Sequence, residues 1–185
     1  MTFLETQRLL FRTHGRHDEE PFVAMHADPE VRRYVGGTPW SPEKARDRFR
    51  TQFAGKPRRT FGLWATVLKE DGRYIGHCGL TGARSAPSLA YYIAPAYWGR
   101  GFATEAAIAF VETGFARLNL TRVLATVERG HLASERILQR LRFTLEREER
   151  IAGTARVLSH YLLLRPSNSA STSFPKPCGC LFREP

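Results

Sequence analysis

Residues 90 to 105 read Ala90-Tyr91-Tyr92-Ile93-Ala94-Pro95-Ala96-Tyr97-Trp98-Gly99-Arg100-Gly101-Phe102-Ala103-Thr104-Glu105. The stretch up to Ala94 is the end of a strand that Pro95 stops; a loop with two glycines follows, and a helix begins near Phe102 to Thr104. A helix N-terminus offers unpaired N–H groups and the positive end of the macrodipole, so this junction is a seat for a phosphate. Gly99 and Gly101 let the backbone approach such an anion closely. An ordinary strand-to-helix turn has the same outline. Two familiar phosphate loops do not fit: Thr104 stands where Gly-x-Gly-x-x-Gly needs its last glycine, and no Gly-Lys-Ser/Thr follows. NAD and nucleoside-triphosphate chemistry are therefore disfavoured.

Upstream, three apolar runs separated by turn signals predict an antiparallel meander: Phe61 to Leu68, Tyr74 to Leu80 and Leu89 to Ala94. Nearer the N-terminus, Arg8 to Arg12 reads as a strand and Asp18 to Ala27 as a helix with an acidic cap. Short helices are expected from Glu30 to Tyr34, after Asp28-Pro29, and from Ser41 to about Phe53, where Ser41 caps and Pro42 takes the first helical position. Downstream, Ile108, Val111, Phe115 and Leu118 recur at helical spacing over Thr104 to Leu118. A strand at Arg122 to Val127 follows, then a helix with Ala133, Ile137, Leu138 and Leu141 inward, then Phe143-Thr144-Leu145 and a last strand from Arg156 to Leu164. This order is that of an α+β domain with a parallel crossover in its second half.

At 185 residues and 42% hydrophobic content the chain fits one domain with a real core, expected over residues 1–165. Residues 166–185 turn to Ser, Pro, Asn and Lys and are expected to form a disordered tail. No stretch approaches the roughly 20 apolar residues of a membrane helix, and Met1 to Arg12 lacks the features of a signal peptide, so no membrane partner and a cytoplasmic location are expected. Cys78, Cys178 and Cys180 make no disulfide framework, and Cys178-Gly179-Cys180 lacks the second pair a zinc site wants, so no metal is expected. The net charge of +10 favours an anionic partner: nucleic acid, a ribosomal surface or a small polyphosphate. Lysine stands only at positions 44, 56, 69 and 176, and the arginines are scattered, with no basic arm and no nucleic-acid-binding motif. Nucleic acid is thereby disfavoured, and plain solvated surface charge is the alternative.

Trp98-Gly99-Arg100-Gly101-Phe102-Ala103 resembles the pyrophosphate loop of the GNAT superfamily of N-acetyltransferases, usually written Gln/Arg-x-x-Gly-x-Gly/Ala. The adjoining Thr104-Glu105-Ala106 is similar to the branch of the Rim-type ribosomal-protein N-terminal acetyltransferases, in which the first loop position is often tryptophan. Glu5-Thr6-Gln7-Arg8-Leu9 resembles that branch's opening strand, and Asp28-Pro29-Glu30-Val31 its helix start. The resemblance spans about residues 5 to 165. It implies the GNAT fold: a mixed, mostly antiparallel sheet of about seven strands flanked by about four helices, with a V-shaped splay between the fourth and fifth strands, here Leu89 to Ala94 and Arg122 to Val127. It implies acetyl-CoA as acyl donor, a primary amine as acceptor, and a monomer or homodimer. Backbone groups at Ile93 and Ala94 are then expected to meet the pantetheine arm, and Trp98, Gly99, Arg100, Gly101, Phe102, Ala103 and Thr104 to surround the pyrophosphate. Four positions depart from the pattern. His131 replaces the usual coenzyme A-contacting asparagine of Asn-x-Ala-Ser, Arg142 replaces the glycine of Leu-Gly-Phe, Leu138 stands where other branches place a tyrosine acid, and Ser88 is near the position of an acidic residue.

Amine acylation needs a route for the ammonium proton, N–H donors for the carbonyl oxygen and a leaving thiolate. The candidates for the proton are His77, His160 and, through water, Tyr91; each histidine also fits a core role. Ser134 is either a proton donor to sulfur or a cap in the first turn of its helix. Cys78 suggests a covalent acyl route, which the GNAT resemblance disfavours. The acceptor, a protein N-terminus or a small-molecule amine, is chosen in this family by the first helices and by the loops at Tyr34 to Trp40 and Gly82 to Pro87. Tyr34 and Trp40 either wall that slot or pack against the core. Two other readings stay open: a non-catalytic acyl-CoA-binding module of the same fold, and a basic RNA- or ribosome-binding protein.

Overall fold

The structure, a computed structural model, describes residues 2–53 and 60–166. The expected tail lies outside the described residues except for Pro166, and so do Cys178 and Cys180. In chain order the elements are β1 (Thr2–Glu5), β2 (Leu9–Arg12), α1 (Glu19–Ala27), α2 (Pro29–Arg32), α3 (Pro42–Gln52), β3 (Trp64–Leu68), β4 (Tyr74–Thr81), β5 (Ser88–Ile93), α4 (Phe102–Ala116), β6 (Arg122–Glu128), α5 (Leu132–Arg140), β7 (Thr144–Arg150) and β8 (Val157–Leu164). Eight strands form one sheet in the order β1-β2-β3-β4-β5-β6-β8-β7, antiparallel throughout except for β5 beside β6. This is the GNAT fold, with all five helices where the sequence placed them and one strand more than the seven it placed. The added strand is β1, which closes a hairpin on β2. β7 runs well past Phe143-Thr144-Leu145; it is exposed along its whole length and carries charges in place of alternating apolar residues, so no pattern announced it.

Local sequence explains the helix starts. Asp28 accepts from the Glu30 N–H at 2.8 Å, and Ser41 from the Lys44 N–H at 3.2 Å, each followed by proline in the first turn. Asp18 departs from its expected role as the cap of α1, since its side chain makes no cap hydrogen bond there. Its fully buried carboxylate instead takes both arms of the Arg12 guanidinium at 2.6 and 2.8 Å and the Gly15 N–H at 2.7 Å. Burial works to raise that carboxyl's pKa, but the Arg12 fork and the Gly15 N–H outweigh it and hold the group below its ordinary value.

Two apolar clusters hold the layers together. The larger packs α4, through Phe102, Phe110 and Val111, against Leu9, Phe11 and Cys78 of the sheet. The smaller joins α1 and α3 through Phe22, Val23, Ala45 and Phe49, with Tyr74 of β4 packed on it. Each buried phenylalanine ring contributes about 1.5–3 kcal/mol. A bulge in β4, where Gly76 pairs with Thr66 but Tyr74 with Val67, carries Ile75 as the extra residue. It puts Ile75 into the larger cluster and turns Tyr74 and His77 together toward α1, their hydroxyl and Nδ1 3.1 Å apart.

Candidate active site

β5 and β6 share a single register pair, Ser88 with Leu124, and beyond it no pairing joins them. Along its other edge β5 stays zipped to β4, and Ala94 N–H donates to the Ile75 carbonyl at 2.9 Å. Ile93 and Gly76 therefore form a non-hydrogen-bonded pair, and the peptide groups of Ile93 face away from β4, into the splay. The Ile93 carbonyl accepts the Trp98 indole N–H at 2.6 Å. Ala94, by contrast, has both backbone groups engaged, its N–H on Ile75 and its carbonyl accepting from Tyr97 at 2.9 Å. Of the pair expected to meet a pantetheine arm, only Ile93 is turned toward it, and Ala94 does not line the cavity.

The splay opens into a cavity of about 580 Å³ bounded by the end of β5, the loop after it, the first turns of α4 and α5, and residues 30–35. Trp98, Gly99, Gly101, Phe102, Ala103 and Thr104 all line it. Gly99 and Gly101 have φ of +73° and +81°, a left-handed conformation that glycine takes without strain. Gly101 is the N-cap of α4 and brings no side chain, so the first N–H groups of α4 meet the cavity uncovered. Arg100 does not line the cavity; its guanidinium lies 5.0 Å over the Phe102 ring.

The loop is held from behind by residues whose part the sequence reading missed. Arg8 donates from Nη1 to the Arg100 carbonyl at 3.0 Å and from Nε to Glu105 at 2.7 Å, while its guanidinium covers Phe102 at 4.5 Å. Glu105 also accepts the Arg8 N–H at 3.0 Å and the Thr6 hydroxyl at 2.5 Å. Thr6, Arg8 and Glu105 all lay in the quoted motifs, yet their contact spans almost a hundred residues and no local pattern reports it. Arg136 and Arg140, one turn apart on α5, bring two further cations to the wall and were also missed.

Among the expected proton carriers, Tyr91 and Ser134 come together in the cavity wall, the Tyr91 hydroxyl donating to the Ser134 carbonyl at 3.5 Å. Burial pushes the Tyr91 pKa up to about 12, so the phenol keeps its proton at neutral pH. His131 also lines the cavity, its ring stacked on Tyr34 at 4.3 Å and 5°. Burial is the largest influence on it and lowers its pKa against the opposing pull of Glu135 and Glu128, leaving a neutral imidazole at pH 7. His77 and His160 do not line the cavity. His77 is 2% exposed, packed among the rings of His14, His26 and Tyr92, and burial drives its pKa well below the ordinary value. His160 sits on β8 with Nδ1 3.2 Å from the Thr126 hydroxyl and Nε2 3.2 Å from Glu149. Cys78 is buried, with its pKa raised by desolvation, so it presents no thiolate. No group of His, Cys, Asp and Glu side chains among the described residues is placed to hold a metal ion, and no described helix is long and apolar enough to cross a membrane.

A sheet that opens beside a glycine loop at a helix N-terminus, with the loop and the opened strand in one cavity, belongs to the class of acyltransferases that seat a phosphate-bearing thioester. Comparison with known proteins agrees. The family described as acetyltransferase (GNAT) domain matches residues 8–144. An uncharacterized N-acetyltransferase p20 of Bacillus licheniformis is 30% identical over 154 residues, covering 79% of this chain and 84% of that protein. In fold, the chain is similar to a GNAT-family acetyltransferase from Bacillus anthracis, with a TM-score of 0.77 at 21% identity over 88% of this chain and 98% of the other. It is also similar to a spermidine N-acetyltransferase from Vibrio cholerae solved with CoA and spermine, with a TM-score of 0.70 at 16% identity over 84% and 95%. The chain belongs to the GNAT acetyltransferase family and is an acyl-CoA-dependent N-acyltransferase.

Proposed function

We propose that this chain transfers an acetyl group from acetyl-CoA to a primary amine by direct attack within a ternary complex. The observation that carries the reading is the sharing of one cavity by the uncovered first turn of α4 and the inward-turned peptide of Ile93. Bound acetyl-CoA would supply an activated thioester carbonyl. The N–H groups from Gly99 through Thr104 receive its pyrophosphate, with Arg136 and Arg140 adding positive charge at the same wall. The Ile93 N–H stands ready for the charge that develops on the carbonyl oxygen; one such donor is worth roughly 3–4 kcal/mol in the transition state. Tyr91, protonated at neutral pH, is the hydrogen-bond donor for the departing sulfur. His131, neutral and in the wall, takes the proton that the ammonium must lose. This assignment replaces His77 and His160, which lie away from the cavity, as the base. The opening motif Glu5 to Leu9 and Asp28 to Val31 support kinship with the Rim-type branch.

Calorimetric titration with acetyl-CoA is expected to give saturable one-to-one binding, and thiol release should follow when a panel of amines is added. His131→Gln is expected to lower kcat by on the order of a hundredfold, with acetyl-CoA affinity kept within a few-fold. Because the His131 pKa lies below its ordinary value, the wild-type acid limb should fall below about pH 6.5, and it should vanish in the variant. No binding overturns the site, whereas binding without thiol release from any amine points to a non-catalytic module.

A further inference from the structure

Arg32 is 8% exposed, more buried than any other described arginine. It belongs to α2, whose Glu30 and Val31 line the cavity together with Tyr34 and Val35 of the turn that follows. Its guanidinium carbon lies over Trp40 at 4.5 Å from the ring centroid, and Trp40 in turn stacks on His26 at 4.6 Å. Nε donates to the Thr38 carbonyl at 3.3 Å, and Gly36 leaves room for the head, since a Cβ there would come within 2.8 Å of Nη2. One edge of the fork is thus fixed by packing and a hydrogen bond. The other edge donates to nothing among the described residues, and no carboxylate pairs with the group.

The remaining arginines that are at least partly buried all have acids: Arg12 has Asp18, Arg46 has Glu20 and Arg156 has Glu128. A buried cation without a counter-ion is destabilising, and a methionine would cover Trp40 without that cost. The charged and titratable groups around Arg32 do not supply the missing charge. Arg156 repels it, His26 is held neutral by burial, and Tyr92 is a phenol whose pKa burial raises. Arg32 does not itself line the cavity; its chain neighbours Val31 and Tyr34 do, and so does Tyr92, whose phenol acts electrostatically on the guanidinium.

Resting on the acetyltransferase reading, we propose that Arg32 is the anion receptor of the acceptor subsite, and that the acceptor is a small amine carrying a carboxylate, as amino acids do. A planar guanidinium with a free edge matches a carboxylate in a two-point pair, and the carboxylate supplies the absent counter-ion. A zwitterion brings its own carboxylate to the guanidinium, whereas a polyamine would bring only further positive charge to a buried cation.

The test measures kcat/KM at saturating acetyl-CoA for matched acceptors, each amino acid beside its amide, its decarboxylated amine and its aminophosphonate analogue. It uses the full chain and the variants Arg32→Lys and Arg32→Met, with acetyl-CoA titration confirming that each variant folds. The wild type is expected to favour carboxylates over amides by about a hundredfold, mostly through KM; the ratio should fall toward one in Arg32→Met and partway in Arg32→Lys. A phosphonate preferred over the carboxylate overturns the carboxylate assignment, and amides used as well as acids in the wild type overturn the receptor. An equal loss on every acceptor in Arg32→Met overturns it too, because that outcome marks a structural role. If no acceptor releases thiol, the acetyltransferase reading fails separately. The receptor is then judged by indole fluorescence, which amino acids but not their amides should change in the wild type and not in Arg32→Met; an equal response to both overturns it.

Discussion

Arg142 occupies a conformation that suits glycine, with φ of +64°. It closes α5 in a Schellman arrangement: Phe143 N–H reaches back to the Leu138 carbonyl and Arg142 N–H to that of Gln139, both at 2.9 Å. The turn typical of the family's Leu-Gly-Phe is therefore made here at the cost of strain in a side-chain-bearing residue. Arg142→Gly is expected to stabilise the protein by roughly 1 kcal/mol, the relief of left-handed strain exceeding the added freedom of the unfolded chain. Denaturant unfolding measures it, and an unchanged midpoint would show that the strain is absorbed elsewhere. Leu138, at a tyrosine position of other branches, is fully buried in the larger core, so it offers no proton and the donor's place falls to Tyr91.

The junction of β2 with α4 decides whether the loop after β5 keeps its shape. Glu105 receives Thr6 and Arg8 together, and Arg8 extends that hold to the Arg100 carbonyl. Glu105→Ala is expected to raise the acetyl-CoA dissociation constant about tenfold and to cost about 1–2 kcal/mol of stability, since charge-assisted bonds at a half-covered site are lost. Titration and urea unfolding read these separately, and a loss of stability with unchanged affinity would make the tie structural only. α1 and α3 are joined at the surface by Arg50 with Glu19 and Arg46 with Glu20, which orient the helices while Phe22 and Phe49 supply the burial.

For the molecule as a whole, the buried imidazoles set the response to acid. Desolvation lowers the pKa values of His14 and His26 to about 4, against an ordinary 6.5, so the unfolded chain binds more protons between these limits. Their neutral forms give full stability above about pH 6.5, and that stability falls as the pH drops toward 4. For His26, 3% exposed, the loss amounts to roughly 3 kcal/mol. His26→Leu should flatten the stability profile over this window, and an unaltered slope would place the acid sensitivity elsewhere. Residues 167–185 are rich in Ser and Pro and carry few apolar side chains, so they are expected to add little buried surface to the domain. A chain stopped at Pro166 is expected to melt within about 2 °C of the full one and to bind acetyl-CoA equally; a marked fall in either would give residues 167–185 a structural part.

What the sequence by itself determined was local: the strand, glycine loop and helix of residues 90 to 105, the cap at Ser41, and the period of α4; in α5 it placed Leu138 inward correctly but Ala133, which is exposed, wrongly. Each follows from steric and hydrogen-bonding rules acting within a few residues, so a short stretch carries its own reading. The family followed from the same stretch. Only the tertiary structure decided which histidine reaches the cavity, because a bulge at Ile75 turned His77 toward α1, while the stack on Tyr34 placed His131 in the wall. It alone joined Arg8 to Glu105, took Asp18 from its cap to Arg12, and left Arg32 buried without an acid. Those outcomes depend on which faces and edges meet across the sheet, and contacts between residues far apart in the chain leave no periodic trace along it.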